Sequence, residues 1–238
     1  MTHSIFSNSS LPALRSAILL VVILLFSAIG SKLMAQADTP DPTRFEQEID
    51  AFASWDAKNS SPDNALLFVG SSSIRFWDTA EAFQGYPVIN RGFGGSHITD
   101  VLYYFDRVIS RFDPSLIIFY CGENDIASGL DPDDVFDDYT ELLARVGQAF
   151  PDADFLYVSI KPSNSRTEYS DAFDSFNRRV ESYNETKHRL HYIDLASPLT
   201  MSDGQPDDSL FVDDRLHLNE EGYRQWNEKM WEFLSQNF

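Results

Sequence analysis

The sequence is poor in the residues that crosslink chains or bind polyanions. Cys121 is the only cysteine among 238 residues, so no disulfide can form within the chain. There are 18 Lys and Arg against 37 Asp and Glu, a formal charge of −19. A surface this acidic repels phosphate backbones and anionic headgroups, so nucleic acid is not an expected partner. The acidity is typical of a soluble protein in a salty or extracellular setting.

Several familiar motifs are also missing. No Gly-x-Ser-x-Gly occurs, which argues against the nucleophile elbow of ordinary α/β-hydrolases. No phosphate-loop motif occurs, which disfavours a nucleotide-binding protein. The histidines outside the C-terminal motif, among them His188 and His191, have no partner at metal-ligand spacing. We therefore expect neither a metal ion nor an organic cofactor.

The N-terminus has the features of an export signal. Arg15 precedes an apolar run at residues 17–30, and Ala35-Gln36-Ala37 supplies the small-x-small pattern cut by signal peptidase. The alternative is an uncleaved membrane anchor. A helix of 14 residues at ~1.5 Å each is shorter than a ~30 Å hydrocarbon core, which favours cleavage. The sequence thus predicts a signal peptide at residues 1–37 and a periplasmic or secreted protein.

The remaining chain alternates strand-like and helix-like segments. We predict a linker and N-terminal helix at residues 38–60 and one domain at residues 61–238. Apolar runs predict strands at residues 66–70, 87–92, 115–122, 154–160 and 190–194. Apolar residues at helical spacing predict three helices, marked by Val135 to Phe150, Phe173 to Tyr183, and Tyr223 to Phe233. This alternation is typical of a mostly parallel sheet covered by helices on both faces.

An acidic cluster at residues 131–134 precedes the first of these helices. A calcium-binding loop is one interpretation. Acidic residues also favour the first turn of a helix, because its free N–H groups attract negative charge. We favour helix capping.

Small polar residues follow the first three predicted strands. In parallel sheets, ligands bind beyond the carboxyl ends of the strands, where the strand order reverses. Ser72 follows the first strand, where a strand-to-helix turn can expose its hydroxyl. Gly95 follows the second, where glycine offers a free N–H, and Asn124 follows the third with an amide that can donate to an oxyanion. Each segment taken alone is equally typical of a plain turn.

A fourth candidate lies near the C-terminus. Asp214 and His217 are three residues apart, so the carboxylate can reach Nδ1 of the imidazole within one turn. That contact fixes the tautomer and leaves Nε2 free to act as a base. A purely structural Asp–His pair is the alternative, and the coincidence of all four segments favours catalysis.

Together these segments resemble the four signature blocks of the SGNH, or GDSL-like, lipase/acylhydrolase family. The blocks are Gly70-Ser71-Ser72, Gly95, Gly122-x-Asn124-Asp125 and Asp214-x-x-His217. The resemblance implies a three-layer α/β/α, flavodoxin-like fold with a five-stranded parallel sheet of order 2-1-3-4-5. It also implies Ser72 as nucleophile, His217 as base and Asp214 as its orienting group. The N–H groups of Ser72 and Gly95 and the Asn124 side chain would form the oxyanion hole.

One departure from the family pattern is that Ser71 stands where the family usually has Asp. The run of three serines leaves Ser71 and Ser73 as alternative nucleophiles. Four further residues are candidates for lining a substrate pocket: Trp77, Phe93, His97 and Lys161. For His97, packing at a helix start is an equal alternative.

The expected function is serine-dependent hydrolysis of a carboxylic ester through an acyl-enzyme. The substrate would be a small-molecule, glycan or lipid ester, as for a lysophospholipase or a carbohydrate acetylesterase. Export and acidity favour a short acyl group on a water-soluble carrier. The alternative is a catalytically silent, exported glycan-binding protein on the same fold, although such a protein would have no need to keep Ser72, Asn124, Asp214 and His217 together.

Overall fold

The computed structural model describes Met1 and residues 40–238. Apart from Met1, the predicted signal peptide and its cleavage site lie outside the described residues. Pro40–Phe238 forms one compact unit. The structure corrects the predicted domain boundary at residue 61, because Phe45 and Ile49 of the preceding segment are buried in the core.

The centre of the unit is a parallel sheet of five strands. They are β1 (Asp63–Gly70), β2 (Val88–Gly92), β3 (Asp113–Tyr120), β4 (Asp154–Val158) and β5 (Leu190–Ile193). Their order in the sheet is β2-β1-β3-β4-β5, and every neighbouring pair is parallel. The predicted α/β fold and strand order are confirmed. The third and fourth strands each end two residues before the predicted limit, where the chain turns into the loops that carry polar residues.

Helices connect the strands. They are α1 (Glu46–Asp56), α2 (Ser72–Arg75), α3 (Thr79–Ala82), α4 (Ile98–Tyr103), α5 (Phe105–Val108), α6 (Glu123–Ala127), α7 (Pro132–Ala149), α8 (Ser170–Asn184) and α9 (Glu220–Asn237). Short 3₁₀ segments lie at Pro42–Phe45, Asn164–Tyr169, Ser197–Leu199 and Asp208–Leu210. None of the helices among the described residues is long and apolar enough to cross a membrane.

The acidic cluster before α7 caps that helix. The Asp131 carboxylate accepts the N–H of Asp133 at 2.8 Å, and Asp133 and Asp134 occupy the first turn. The cluster therefore satisfies N–H groups that a helix start leaves without partners. No group of His, Cys, Asp and Glu side chains within residues 40–238 is arranged to hold a metal ion.

Two apolar layers pack on the two faces of the sheet. One holds buried residues of α1, α4, α7 and α8, and the other holds Trp226, Met230 and Leu234 of α9 against the opposite face. The aromatic stripes that predicted helices thus face the core, as in Phe173 and Phe176 of α8. This three-layer packing leaves the carboxyl edge of the sheet as the place where loops from several strands meet.

The first three strands end side by side at that edge. Gly70 at the end of β1 pairs with Gly92 of β2 on one side and with Tyr120 of β3 on the other. The loops after these strands therefore begin as neighbours, although about 50 residues separate Gly70 from Tyr120 along the chain.

Candidate active site

Ser72 is held at a tight turn between β1 and α2. Gly70 has a φ of +141°, and a Cβ at that position would lie 1.9 Å from the Tyr120 carbonyl oxygen, so no other residue fits. Ser71 then donates its N–H to the same carbonyl at 3.0 Å. The turn directs Ser72, the first residue of α2, out of the sheet edge.

The structure distinguishes Ser72 from its two serine neighbours. Ser71 and Ser73 are both buried, with 2% of their surface exposed. Ser72 is partly exposed, and its Oγ lies 2.8 Å from Nε2 of His217. Of the three hydroxyls, the one that contacts the imidazole is therefore that of Ser72.

His217 is oriented by Asp214 within one loop. Nδ1 of His217 lies 2.6 Å from Oδ2 of Asp214, and Oδ1 accepts the N–H groups of Leu216 and His217 at 2.9 Å each. Arg215 takes a left-handed conformation, with a φ of +58°, which closes this turn. Nδ1 faces the carboxylate and Nε2 faces the serine, which is the arrangement of a nucleophile, a base and an orienting group.

The Asp214 carboxylate is ionised at neutral pH. Burial by itself would raise its pKa, but hydrogen bonds from the His217 side chain and from two backbone N–H groups outweigh this and lower the pKa to about 2. The side chain nevertheless remains 47% exposed. The charge that orients the imidazole thus lies at the surface of the molecule.

The three predicted oxyanion donors come from the segments that follow three different strands. The N–H of Ser72 stands at the start of α2, and Gly95 has a φ of +75°, a conformation that favours glycine. Neither N–H donates a hydrogen bond to another described residue. The Asn124 side chain donates through Nδ2 to the Ser96 carbonyl at 3.1 Å, which fastens the loop after β3 to the loop after β2. An amide nitrogen carries two hydrogens, so one remains for a ligand.

Two of the predicted pocket residues are fully buried, which corrects their assignment. Phe93 has no exposed surface and packs edge-on against Phe45, with the ring centres 5.1 Å apart. Lys161 also has no exposed surface, and its Nζ lies 3.2 Å from Oε2 of Glu123. Since Phe93 fills the core and Lys161 forms a buried ion pair, neither lines an open pocket.

The other two predicted pocket residues, His97 and Trp77, are also buried. His97 is buried at the start of α4, where its N–H donates to Asp100 at 2.8 Å. Burial, assisted by the charges of Arg44 and Arg166, lowers the pKa of His97 to about 4, so the ring is neutral. This supports helix-start packing rather than pocket lining. Trp77 is 3% exposed and donates through Nε1 to Asn227 at 2.7 Å, beside a surface groove.

Sequence reasoning missed two residues next to the candidate triad. Phe76 is 51% exposed, and its ring lies edge-on to the His217 imidazole with the centres 5.0 Å apart. Its place four residues after Ser72 is the only signal that the sequence offered. Arg166 donates from Nη2 to Oδ1 of Asn124 at 3.0 Å. No local pattern indicated this contact, because 42 residues separate the two positions.

The comparison with known families decides the classification. Residues 69–225 match the model of the GDSL-like lipase/acylhydrolase family. The chain belongs to this family. The match spans from the end of β1 into α9 and so includes every segment that contributes to the candidate active site.

Solved structures agree with the GDSL-like fold. A putative platelet activating factor from Streptococcus pneumonia shares 20% identity at a TM-score of 0.72, with 80% of this chain and 93% of the other covered. A GDSL-like lipase from Bacteroides thetaiotaomicron shares 19% identity at a TM-score of 0.69, and the match covers 80% of this chain and 98% of the lipase. A catalytic mutant of an acetylxylan esterase from Geobacillus stearothermophilus shares 12% identity at a TM-score of 0.58, and the match covers 71% of this chain and 94% of the esterase. No match was found among curated proteins.

Membership of the GDSL-like lipase/acylhydrolase family supports ester hydrolysis as the general activity.

Proposed function

We propose that this GDSL-like protein is a serine esterase in which Ser72 attacks the ester carbonyl. The observation that carries the proposal is the continuous contact from Ser72 Oγ to His217 Nε2 at 2.8 Å and from His217 Nδ1 to Asp214 at 2.6 Å. Both distances lie in the range of strong hydrogen bonds, so a proton can pass from the hydroxyl to the imidazole.

In the proposed mechanism His217 removes the Ser72 proton as Oγ forms a bond to the carbonyl carbon. The resulting oxyanion accepts hydrogen bonds from the N–H groups of Ser72 and Gly95 and from the Asn124 amide. His217 then gives the proton to the leaving alcohol, and an acyl-enzyme remains. Water, deprotonated by His217, releases the acid and restores Ser72. Asp214 stays ionised throughout, because its pKa is about 2.

We further propose a short acyl group on a water-soluble carrier such as a glycan. A groove of about 1050 Å³ is lined by the exposed Phe76 and Val212, and the Phe76 ring connects it to the His217 imidazole; the triad side chains themselves do not line it. Four carboxylates line the same groove: Asp78, Glu81, Glu220 and Glu221. Exposed rings stack on sugar faces and carboxylates accept sugar hydroxyls, whereas carboxylates disfavour a buried alkyl chain. The likeness to an acetylxylan esterase fold is compatible with this substrate class.

A series of p-nitrophenyl esters from acetate to palmitate tests both parts of the proposal. We expect kcat/KM to be highest for acetate and to fall with acyl length, and Ser72→Ala to be inactive throughout. Higher kcat/KM for palmitate would contradict the short acyl group. Hydrolysis of no ester at any length would overturn the esterase and favour a silent glycan-binding protein.

We also propose that the protein is exported, on the basis of the apolar run and Ala35-Gln36-Ala37. Intact-mass measurement of protein from the periplasm or medium is expected to give a chain that begins at Asp38. A chain that retains Met1 in the membrane fraction would indicate an anchor instead.

A further inference from the structure

The nitrogen and the oxygen of the Asn124 side-chain amide both form hydrogen bonds, and the two partners are compatible with only one orientation of the amide. Its Nδ2 donates to the Ser96 carbonyl at 3.1 Å, and its Oδ1 accepts from Arg166 Nη2 at 3.0 Å. A carbonyl can only accept and a guanidinium can only donate. A flip of the amide by 180° would therefore set an N–H against the guanidinium and an oxygen against the Ser96 carbonyl.

We propose that Arg166 is a positioning residue of the active site, which fixes the Asn124 amide so that its second N–H faces the oxyanion. This inference rests on the proposed esterase function. In this proposal Arg166 does not contact the substrate, because it acts only by orienting Asn124. Preorganised donors stabilise a transition state because they need no reorientation as the charge develops.

A buried carboxylate holds Arg166 in turn. Nη1 of Arg166 lies 3.1 Å from Oε1 of Glu123, whose side chain is 4% exposed. Glu123 also accepts from Lys161 Nζ, at 3.2 Å from Oε2, and from the Tyr120 hydroxyl. Burial alone would raise the pKa of Glu123, but the charges of Lys161 and Arg166 outweigh it and lower the pKa below its usual value.

These contacts join three segments that are distant in sequence. Glu123 and Asn124 begin α6 shortly after β3, Lys161 follows β4, and Arg166 lies in the 3₁₀ segment Asn164–Tyr169. Because Glu123 and Asn124 are adjacent, one guanidinium can bind the Glu123 carboxylate with one nitrogen and the Asn124 oxygen with the other. Lysine has a single nitrogen and lacks this fork, so it is not an equivalent replacement.

A double-mutant cycle between Arg166 and Asn124 tests the proposal, with kcat and KM measured on the best p-nitrophenyl ester. We expect Arg166→Met to lower kcat about 10- to 100-fold with little change in KM, because misplacing a reacting group by about 1 Å can cost about 10²-fold in rate. Arg166→Lys should recover little of this loss. In the Asn124→Ala background, Arg166→Met should have almost no further effect on kcat, because the donor that it positions is gone.

Two results would overturn this role of Arg166. A raised KM, with losses that add in the double mutant, would indicate direct contact with the substrate. A lowered melting temperature with unchanged kcat would indicate a structural brace. Arg179→Met, which breaks an arginine–carboxylate pair between α7 and α8, is the matched control and should leave kcat unchanged. The proposed function fails separately, if the unmodified chain hydrolyses no ester.

Discussion

The two sides of the candidate site are built in opposite ways. On the triad side, Asp214 orients His217 from an exposed loop, through contacts that span three residues of the chain. On the oxyanion side, Asn124 depends on a buried cluster of Glu123, Lys161 and Arg166 drawn from separate segments. The base is thus positioned locally and the oxyanion donor by the fold, so mutations on the two sides should affect activity and stability differently.

The largest effect is expected on the triad side, where mutations should lower kcat and leave stability nearly unchanged. Ser72→Ala should lower kcat about 10⁶-fold, and Asp214→Asn about 10⁴-fold, because an amide does not hold the required tautomer of His217. Ser72 is partly exposed, and Asp214→Asn keeps an oxygen that can accept the same two backbone N–H groups, so the free energy of unfolding should change little. Ester hydrolysis and urea denaturation on the same proteins measure the two quantities. An Asp214→Asn protein with unchanged kcat would remove Asp214 from the triad.

The second-largest effect is expected on the oxyanion side, where a mutation should lower the free energy of unfolding. Glu123→Gln removes the carboxylate between Lys161 and Arg166 and leaves buried cationic groups without their partner. Breaking a buried ion pair from one side costs about 3–5 kcal/mol, and urea denaturation should show a loss of this size. Asp214→Asn is the matched control, since it also neutralises a carboxylate but at the surface. Equal losses of unfolding free energy in the two variants would contradict the claim that only the oxyanion side depends on buried contacts.

A smaller effect on kcat is expected for the oxyanion donor itself. Asn124→Ala should lower kcat about 10²–10³-fold and leave KM nearly unchanged, because the lost hydrogen bond matters most in the transition state. Asn124→Asp should be at least as harmful, since a carboxylate repels the oxyanion and offers no N–H. Steady-state kinetics with thermal melts separate this role from a structural one. A stable Asn124→Asp enzyme with near-native kcat would contradict it.

These two sides also differ in how far the sequence predicted them. Ser72 follows a strand that ends in Gly70, and Asp214 and His217 share one turn, so neighbouring residues carry the information. The alternation of apolar runs and helical stripes likewise predicted a parallel sheet covered by helices, whereas the strand order came only from the resemblance to the family. Glu123 and Lys161 meet only when β3 and β4 pair, and Arg166 reaches Asn124 across 42 residues. Contacts of this kind leave no local pattern.

The same lack of local information explains why two buried residues are predicted to line the pocket. Phe93 and Lys161 were correctly placed after strands, but position along a strand does not show whether a side chain points outward or into a layer. Phe93 fills the core beside Phe45, and Lys161 is buried because Glu123 neutralises it there. A lysine with no exposed surface runs against the usual behaviour of this residue type.

The smallest expected effect concerns pH and the buried Asp125, next to Asn124. Burial raises the pKa of Asp125 to about 7 from its ordinary value near 3.8. The unfolded chain therefore releases this proton at lower pH than the folded chain, and stability falls as pH rises between those values. From about pH 5 to about pH 7 the loss is on the order of 2 kcal/mol, at about 1.36 kcal/mol per unit. Asp125→Asn should flatten this part of the urea-denaturation profile, and an unchanged slope would show that Asp125 is ionised in the folded protein.

The measurement that tests the central claim most directly is labelling of the purified protein with a fluorophosphonate, followed by peptide mass analysis. The account predicts one covalent adduct per chain, on Ser72, and its loss in Ser72→Ala. His217→Ala should slow labelling strongly, because the hydroxyl then lacks the base that lies 2.8 Å away. An adduct on Ser71 or Ser73, or hydrolysis of esters by a chain that takes up no label, would contradict the assignment of Ser72 as the nucleophile.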